Sequence, residues 1–600
     1  VKTRGFPKPD FHLSPNRGYH HPVQTPPLTA LARLFETARQ SGTARWWCLP
    51  AGQHLFEPGD PAADLHLLRA GRLGAFRIDG SDGPRFLGVV RPGEPAGEMS
   101  VIAGAVHTGR LTALRDSEVL SLDREAFFAA CETDPDIMTD LARLMVGRAR
   151  NAGRTAELVE PTVFGFIAQG PVEDLRGLVE SLAGGIRAAG FSAAVAGSEA
   201  EDEETSWFSN LEHGVDYALY VAGQGEGAWA AKIARQVDGL FRVGRGDYPP
   251  PPGAAAHTPP ALGTGAELIL VQPAGVRRPR GAEAWMTATG AVGLTHLRRG
   301  DPGDLARLVR RLTGRAVGLV LSGGGARAYA HIGVIRALSE RGVPIDHVGG
   351  ASMGAVIAAG LALGWDLDEL DQRIRRAFVA SSPLDDIAFP MLAMTRGEKV
   401  ARRLEEHFGD VQFADLWRPC FCVSSNLTTG AHQVHRRGSV RAALRASISL
   451  PGLLPPALQG QNVLVDGAVL KNLPVDVMRG GLSGPIIGVD VSRGLSITAA
   501  DIVRPRSLLR WVLSGQWRKG PPIVSLLIRA ATVSSGRDMA AAREGADVLI
   551  LPELTGVEIR DWSAYDPAVA AGHAAAVAAL DRIEGPLEDL RRRPTSPRSP

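Results

Sequence analysis

Cysteine is scarce in this chain of 600 residues, with four in all: Cys48, Cys131, Cys420 and Cys422. So few exclude a disulfide scaffold and suit a reducing compartment. Cys420 and Cys422 stand two apart, yet no further cysteine or nearby histidine pair completes a tetrahedral metal set. Both are therefore read as strand residues, and neither a metal nor a cofactor is expected. Charge of one sign is also lacking. The 66 basic and 64 acidic residues leave a formal net charge of +2, which gives no reason to propose a nucleic-acid partner. No apolar run reaches membrane-spanning length. The longest, Gly350 to Gly364, is rich in small residues and reads as a helix packed close to a sheet. The first 27 residues carry Pro7, Pro9, Pro15, Pro22, Pro26 and Pro27 and no apolar core segment, so no secretory signal is read there. The expected setting is cytoplasmic, with any membrane met peripherally from outside.

What is present is a soluble globular composition, 44% hydrophobic and 22% charged, in a chain too long for one core. Residues 1–27 read as a disordered proline-rich leader. Residues 28–153 begin and end in helix. Between them run short strands such as His66-Leu67-Leu68-Arg69 and Leu73 to Ile78, punctuated by Pro58-Gly59-Asp60, Gly80-Ser81-Asp82-Gly83 and Pro92-Gly93. That spacing predicts a β-roll. In residues 161–314 the runs Val163 to Ile167, Tyr217 to Val221 and Leu268 to Val271 alternate with helical stretches, which predicts an α/β domain on a parallel sheet. It shows no phosphate loop and no catalytic cluster. A second α/β domain spans 315–495, a helical extension 496–588, and a disordered tail 589–600.

The chemistry concentrates in 315–495. Val317 to Leu321 is long enough for one buried strand and leads into Ser322-Gly323-Gly324-Gly325-Ala326-Arg327, after which Tyr329 to Arg341 has helical spacing. A glycine loop between strand and helix offers backbone N–H groups to an anion, either a phosphate or a transient oxyanion. The loop lacks the ending of a P-loop and the spaced glycines of a dinucleotide fold. A second strand, Ile345 to Val348, runs into Gly350-Ala351-Ser352-Met353-Gly354 and a helix from Ala355 to Leu363. A serine held on a tight strand-to-helix turn needs small neighbours, here Gly350 and Gly354. With 70 glycines in the chain the five-residue pattern alone recurs by chance, and the strand before it and helix after it give it weight. A third element, Val463-Leu464-Val465-Asp466-Gly467-Ala468, ends a strand on a carboxylate that can serve a serine as base.

Gly-Gly-Gly-x-Arg, then G-x-S-x-G, then Asp-Gly-Ala together resemble the patatin-like phospholipase family. Gly318 to Val334 and Asp466 to Met478 are similar to its neuropathy-target-esterase-like branch. The resemblance implies a Ser–Asp dyad of Ser352 and Asp466 without histidine. It also implies an oxyanion hole at Gly323, Gly324, Gly325 and Arg327, and an ester of a phospholipid or lysophospholipid as substrate. One position departs from the family: Ala328 stands where glycine is usual. A histidine after Asp466, as the Ser–Asp–His order of other hydrolases requires, is available only at His573.

In the N-terminal domain, Gly93 to Ile102 resembles the phosphate cassette of cyclic-nucleotide-binding domains. The resemblance implies Gly97 as part of the cassette and Glu98 at the ribose hydroxyl. The arginine that clamps the cyclic phosphate is replaced by His107, with Arg110 three residues on. A neutral histidine cannot act as a bidentate clamp, so cyclic nucleotide binding is expected to be weak or absent. The expected fold is thus multidomain: an N-terminal cyclic-nucleotide-binding-like β-roll, an α/β middle domain, and an α/β patatin-like catalytic domain carrying a nucleophile elbow. The expected function is a serine acyl hydrolase. The alternatives are a nucleotide sensor with a vestigial hydrolase domain and a lipase with a histidine triad. Leu508, Leu509, Trp511, Val512 and Trp517, interleaved with Arg506, Arg510, Arg518 and Lys519, read as a membrane-docking segment or as core.

Overall fold

The computed structural model describes residues 29–78, 84–151, 162–254, 265–380, 386, 388, 393–492 and 536–591. The expected leader, most of the expected tail, and the Leu508–Lys519 segment lie outside them. Among the described residues no helix is long and apolar enough to cross a membrane.

The N-terminal unit opens on the helix Thr29–Ser41 and closes on the helix Asp136–Asn151. Between them two antiparallel four-stranded sheets face each other. One is built around Asp64–Ala70 and Ser117–Asp123, the other around Leu73–Ile78 and Arg110–Ala113. Leu65, Leu120, Leu122 and Phe127 pack against Leu31, Phe35 and Leu141 of the flanking helices.

The middle unit is a six-stranded sheet with every pairing parallel, Val163–Ala168 and Gly239–Arg245 lying at its centre. Buried on both faces, its strands read as near-continuous apolar runs. It is fastened to the β-roll by charge. Arg72 and Arg115 donate to Asp238 at 2.6 and 2.5 Å, and Arg115 also pairs with Glu212. Asp238 is buried, and its other oxygen accepts the backbone N–H groups of Thr162 and Val163. Toward the C-terminal unit, His296 Nε2 lies 2.7 Å from the Ala414 carbonyl and Arg310 holds Asp346 at 2.7 Å.

The C-terminal unit is an eight-stranded mixed sheet. The strands Gly318–Leu321 and His347–Ala351 are parallel neighbours at its centre, and Cys420–Asn426 lies parallel beside the latter. Cys420–Asn426 then pairs antiparallel with Asn462–Asp466, with Ser424 opposite Asp466. This reversal brings the C-terminal end of Asn462–Asp466 near the strand end that carries the serine turn. The segment expected as a helical extension, 496–588, needs correcting. Its described part adds a strand, Val548–Ile550, to the edge of this eight-stranded sheet, parallel to Ile486–Val489. Its helix Tyr565–Leu580 packs tightly on Ala330–Glu340. A Cβ on Gly333 or Gly572 would sit 1.9 Å from a carbonyl oxygen of the opposing helix, so glycine is what allows the two backbones to touch. The extension is therefore part of the same fold as residues 315–495.

Candidate active site

Ser352 begins the helix Ser352–Leu363 directly after the strand His347–Ala351. Its φ is +52°, a left-handed conformation that a non-glycine residue adopts only when its surroundings enforce it. The surroundings here are close. A Cβ on Gly350 would lie 2.3 Å from the Leu321 carbonyl oxygen, and one on Gly354 2.4 Å from the same atom. The turn thus presses onto the end of the neighbouring strand, which explains both glycines of the motif. Ser352 N–H donates to Ser447 Oγ at 2.9 Å, and that hydroxyl donates to the Val423 carbonyl at 2.7 Å. Ser447 is fully buried. It holds the turn from outside, and sequence reading missed it.

Ser352 Oγ donates to Asp466 Oδ2 at 2.7 Å. The carboxylate is held at every other point. Its Oδ1 accepts Ala468 N–H at 2.8 Å, its backbone N–H donates to Ser449 O, and its carbonyl accepts Ser425 Oγ. Gly467 lets the chain pass over the Val423 carbonyl, which a Cβ would approach to 2.4 Å. Burial pushes the Asp466 pKa up to about 6, against the lowering effect of its bonds from Ser352 and Ala468.

The glycine loop lies against the serine: a Cβ on Gly323 would meet Ser352 Cβ at 2.8 Å. Its donors are not equivalent. Gly323 N–H is already given to Asn472 Oδ1 at 2.9 Å. Ala326 N–H goes to Ile559 O and Arg327 N–H to Gly324 O. The N–H groups of Gly324 and Gly325 have no acceptor among the described residues. The expected set of four is corrected accordingly. Gly324 and Gly325 offer donors, and Gly323 shapes the loop. Arg327 is turned away: it is buried, with Nε on the Val491 carbonyl at 2.7 Å and Nη1 on Val557 O at 3.1 Å. It fastens the C-terminal segments under the loop. Ala328 is fully buried without disturbing this arrangement.

Histidines are close by but engaged elsewhere. His331 Nε2 donates to the Ser322 carbonyl at 2.8 Å, and burial lowers its pKa to about 4. It is thus a neutral clamp on the loop strand. His435 bonds Ser424 Oγ and His407 bonds Arg373. His573 pairs with Glu340 at 2.7 Å, on the end of the loop helix remote from the glycines. Among the described residues no histidine bonds Ser352 or Asp466, and no cluster of metal-ligating side chains occurs.

The N-terminal cassette is closed by its own side chains. Glu98 is buried, and its Oε1 accepts Arg148 Nη1 at 2.5 Å from the closing helix. Gly97 takes a φ of +82°, and a Cβ there would lie 3.2 Å from the His107 ring. That ring stacks on Phe56 with centroids 3.7 Å apart and planes at 6°. Burial lowers the His107 pKa. Arg110 is held by Glu57 at 2.8 Å.

Comparison with known proteins adds family to geometry. Residues 319–479 match the patatin-like phospholipase family and residues 47–134 the cyclic nucleotide-binding domain. An uncharacterised NTE family protein of Mycobacterium tuberculosis is 32% identical over 550 residues, 89% of this chain and 91% of that protein. The chain belongs to the NTE family. Membership carries the enzyme class expected from the motifs, a lipid esterase. A Cryptococcus neoformans protein named lysophospholipase NTE1 is 29% identical over 74% of this chain. Drosophila melanogaster neuropathy target esterase sws is 26% identical over 84% of it. The chain spans 32% and 40% of the length of these two relatives.

Proposed function

We propose that this NTE-family chain hydrolyses the carboxylic ester of a phospholipid or lysophospholipid through a Ser352–Asp466 dyad. The observation that carries the reading is the 2.7 Å bond from Ser352 Oγ to Asp466 Oδ2, made by a buried carboxylate with no histidine between them. With a pKa of about 6, Asp466 is ionised at neutral pH and basic enough to accept the serine proton as Oγ attacks the ester carbonyl. The tetrahedral oxyanion then meets the N–H groups of Gly324 and Gly325, reinforced by the N-terminal end of the 12-residue helix that begins at Ser352. The proton passes from Asp466 to the leaving alcohol. A water activated by the same carboxylate then releases the fatty acid.

The same reading gives the N-terminal domain a docking or regulatory role without nucleotide, because Arg148 occupies Glu98 and the stacked His107 stands at the phosphate position. Reaching lipid by peripheral contact is part of the proposal. The test is hydrolysis of a lysophospholipid and of a short-chain nitrophenyl ester by the full chain. Ser352→Ala should abolish both activities, by about 10⁴-fold or more in kcat, with an unchanged melting temperature. Equal turnover in the variant would discard the dyad, and no turnover in the wild type would favour a vestigial domain.

A further inference from the structure

A cavity of about 660 Å³ lies at the end of the catalytic domain remote from Ser352, within the size range of small-molecule sites. Its wall is apolar, with Ile335, Ile345, Leu361, Trp365 and Leu370 among the lining residues. Leu361 is near the C-terminal end of the elbow helix Ser352–Leu363, nine residues and so about 13 Å from the nucleophile at about 1.5 Å per residue. The cavity thus opens at the opposite end of this helix from the dyad.

One cation lines this apolar space. Arg418 donates Nε to the Ile345 carbonyl at 3.0 Å and Nη1 to the Leu361 carbonyl at 2.8 Å. Both acceptors belong to residues that also line the cavity. These acceptors fix the plane of the guanidinium, and since Leu361 lies in the last turn of the elbow helix the negative end of that helix meets part of its charge. Among the described residues no carboxylate pairs with Arg418, and Nη2 has no acceptor. The nearby Asp346 is already held by Arg310 in two bonds. An arginine fixed in this way, with Nη2 open beside a largely apolar wall, is a ready partner for a carboxylate. At the cavity's edge Asp366 and Asp368 are exposed, and Asp366 caps the following helix through Glu369 N–H. Their charge weakens the hold on any anion and on a dianion most, so a monoanion is the head better tolerated.

We propose that this cavity is a second, non-catalytic lipid site that takes one long-chain fatty carboxylate, its head on Arg418 and its chain along the apolar wall. That such a ligand is also the acid released at Ser352 rests on the function proposed above; the site itself does not.

The test uses the full chain with Ser352→Ala, so that no acylation occurs, and a dansyl-labelled undecanoic acid as probe. Saturable binding is expected. Ser339→Trp, at an exposed lining position, should fill the entrance and weaken binding by about tenfold or more. Arg418→Gln should do the same through loss of the charge-assisted bond. Undecanol should compete about tenfold less well than undecanoic acid, and the gap should close in Arg418→Gln. Unaltered probe affinity in Ser339→Trp, equal competition by the alcohol, or stronger competition by undecyl phosphate would each overturn the proposal. If Arg418→Gln fails to fold, the Ser339→Trp and alcohol comparisons still decide. Turnover of the nitrophenyl ester by the Ser352 chain, measured separately, tells failure of this site from failure of the esterase reading.

Discussion

The glycine-rich turns Gly93 to Gly97, before Glu98–Ala103, and Ser322 to Gly325, before the loop helix Ala330–Glu340, both lead from strand to helix. Each is the kind of turn that receives an anion. They have been completed in opposite ways. In the first, Arg148 occupies the buried carboxylate and a histidine stacked on Phe56 fills the adjoining space. In the second, Asn472, Ile559 and Gly324 take up three N–H groups of the loop, and two are left open beside a serine under backbone strain. The difference teaches that a glycine motif marks where donors can be presented, while the side chains folded over it decide whether they remain available.

The comparison breaks most readily on the open side. Asn472→Ala removes the acceptor that fixes Gly323. It should lower kcat for the nitrophenyl ester by about 10- to 100-fold with little change in KM, as expected for a loss of transition-state preorganisation. An unchanged kcat would mean that the loop holds its shape without the clamp.

The carboxylate supplies the next test through its buried charge. Its folded pKa, about 6, stands above the ordinary 3.8. The folded state therefore binds the proton more tightly, and this contribution is full below pH 3.8 and lost as pH rises through about 6. Ionised Asp466 weighs against the fold at pH 8, by up to about 3 kcal/mol at about 1.4 kcal/mol per pH unit. Asp466→Asn should thus melt higher than wild type at pH 8, with the advantage gone near pH 4. Activity runs the other way and should fall on the acid side with a midpoint near pH 6. A variant that melts lower at pH 8 would show that the carboxylate is better solvated than its burial implies.

The closed side predicts the smallest change. Calorimetry of the wild type with cyclic AMP or cyclic GMP should give no micromolar binding. His107→Arg combined with Arg148→Met, which restores a cation at the phosphate position and frees Glu98, should gain measurable affinity. Micromolar binding by the wild type, abolished by Arg110→Ala, would show instead that Arg110 leaves Glu57 to act as the clamp.

Much of this was legible in sequence because it is local. Val163 to Ile167, Tyr217 to Val221 and Val317 to Leu321 are apolar runs, and strands lie there within a residue or so. Gly350, Gly354 and Gly467 each answer a backbone carbonyl that a Cβ would strike, so the need for glycine is written at the position itself. What was not legible is carried by pairs distant in the chain. Asn472 is 149 residues from Gly323, Ser447 is 95 from Ser352, and Arg148 is 50 from Glu98. Single asparagines, serines and arginines carry no mark of such partners. The family resemblance implies Arg327 at the oxyanion, yet its side chain runs under the glycines to Val491 and Val557. The strand Val548–Ile550 has three residues, too few to show a period against the helices on either side.

The central claim is that Asp466 alone activates Ser352. Labelling by an alkyl fluorophosphonate, followed by intact-protein mass spectrometry, reads that activation without reference to any substrate. The account predicts one adduct on Ser352 in the wild type, formed at the same rate in His573→Ala, absent in Ser352→Ala, and slowed by about 10³-fold or more in Asp466→Asn. Labelling of Asp466→Asn at the wild-type rate, or its loss in His573→Ala, would contradict it.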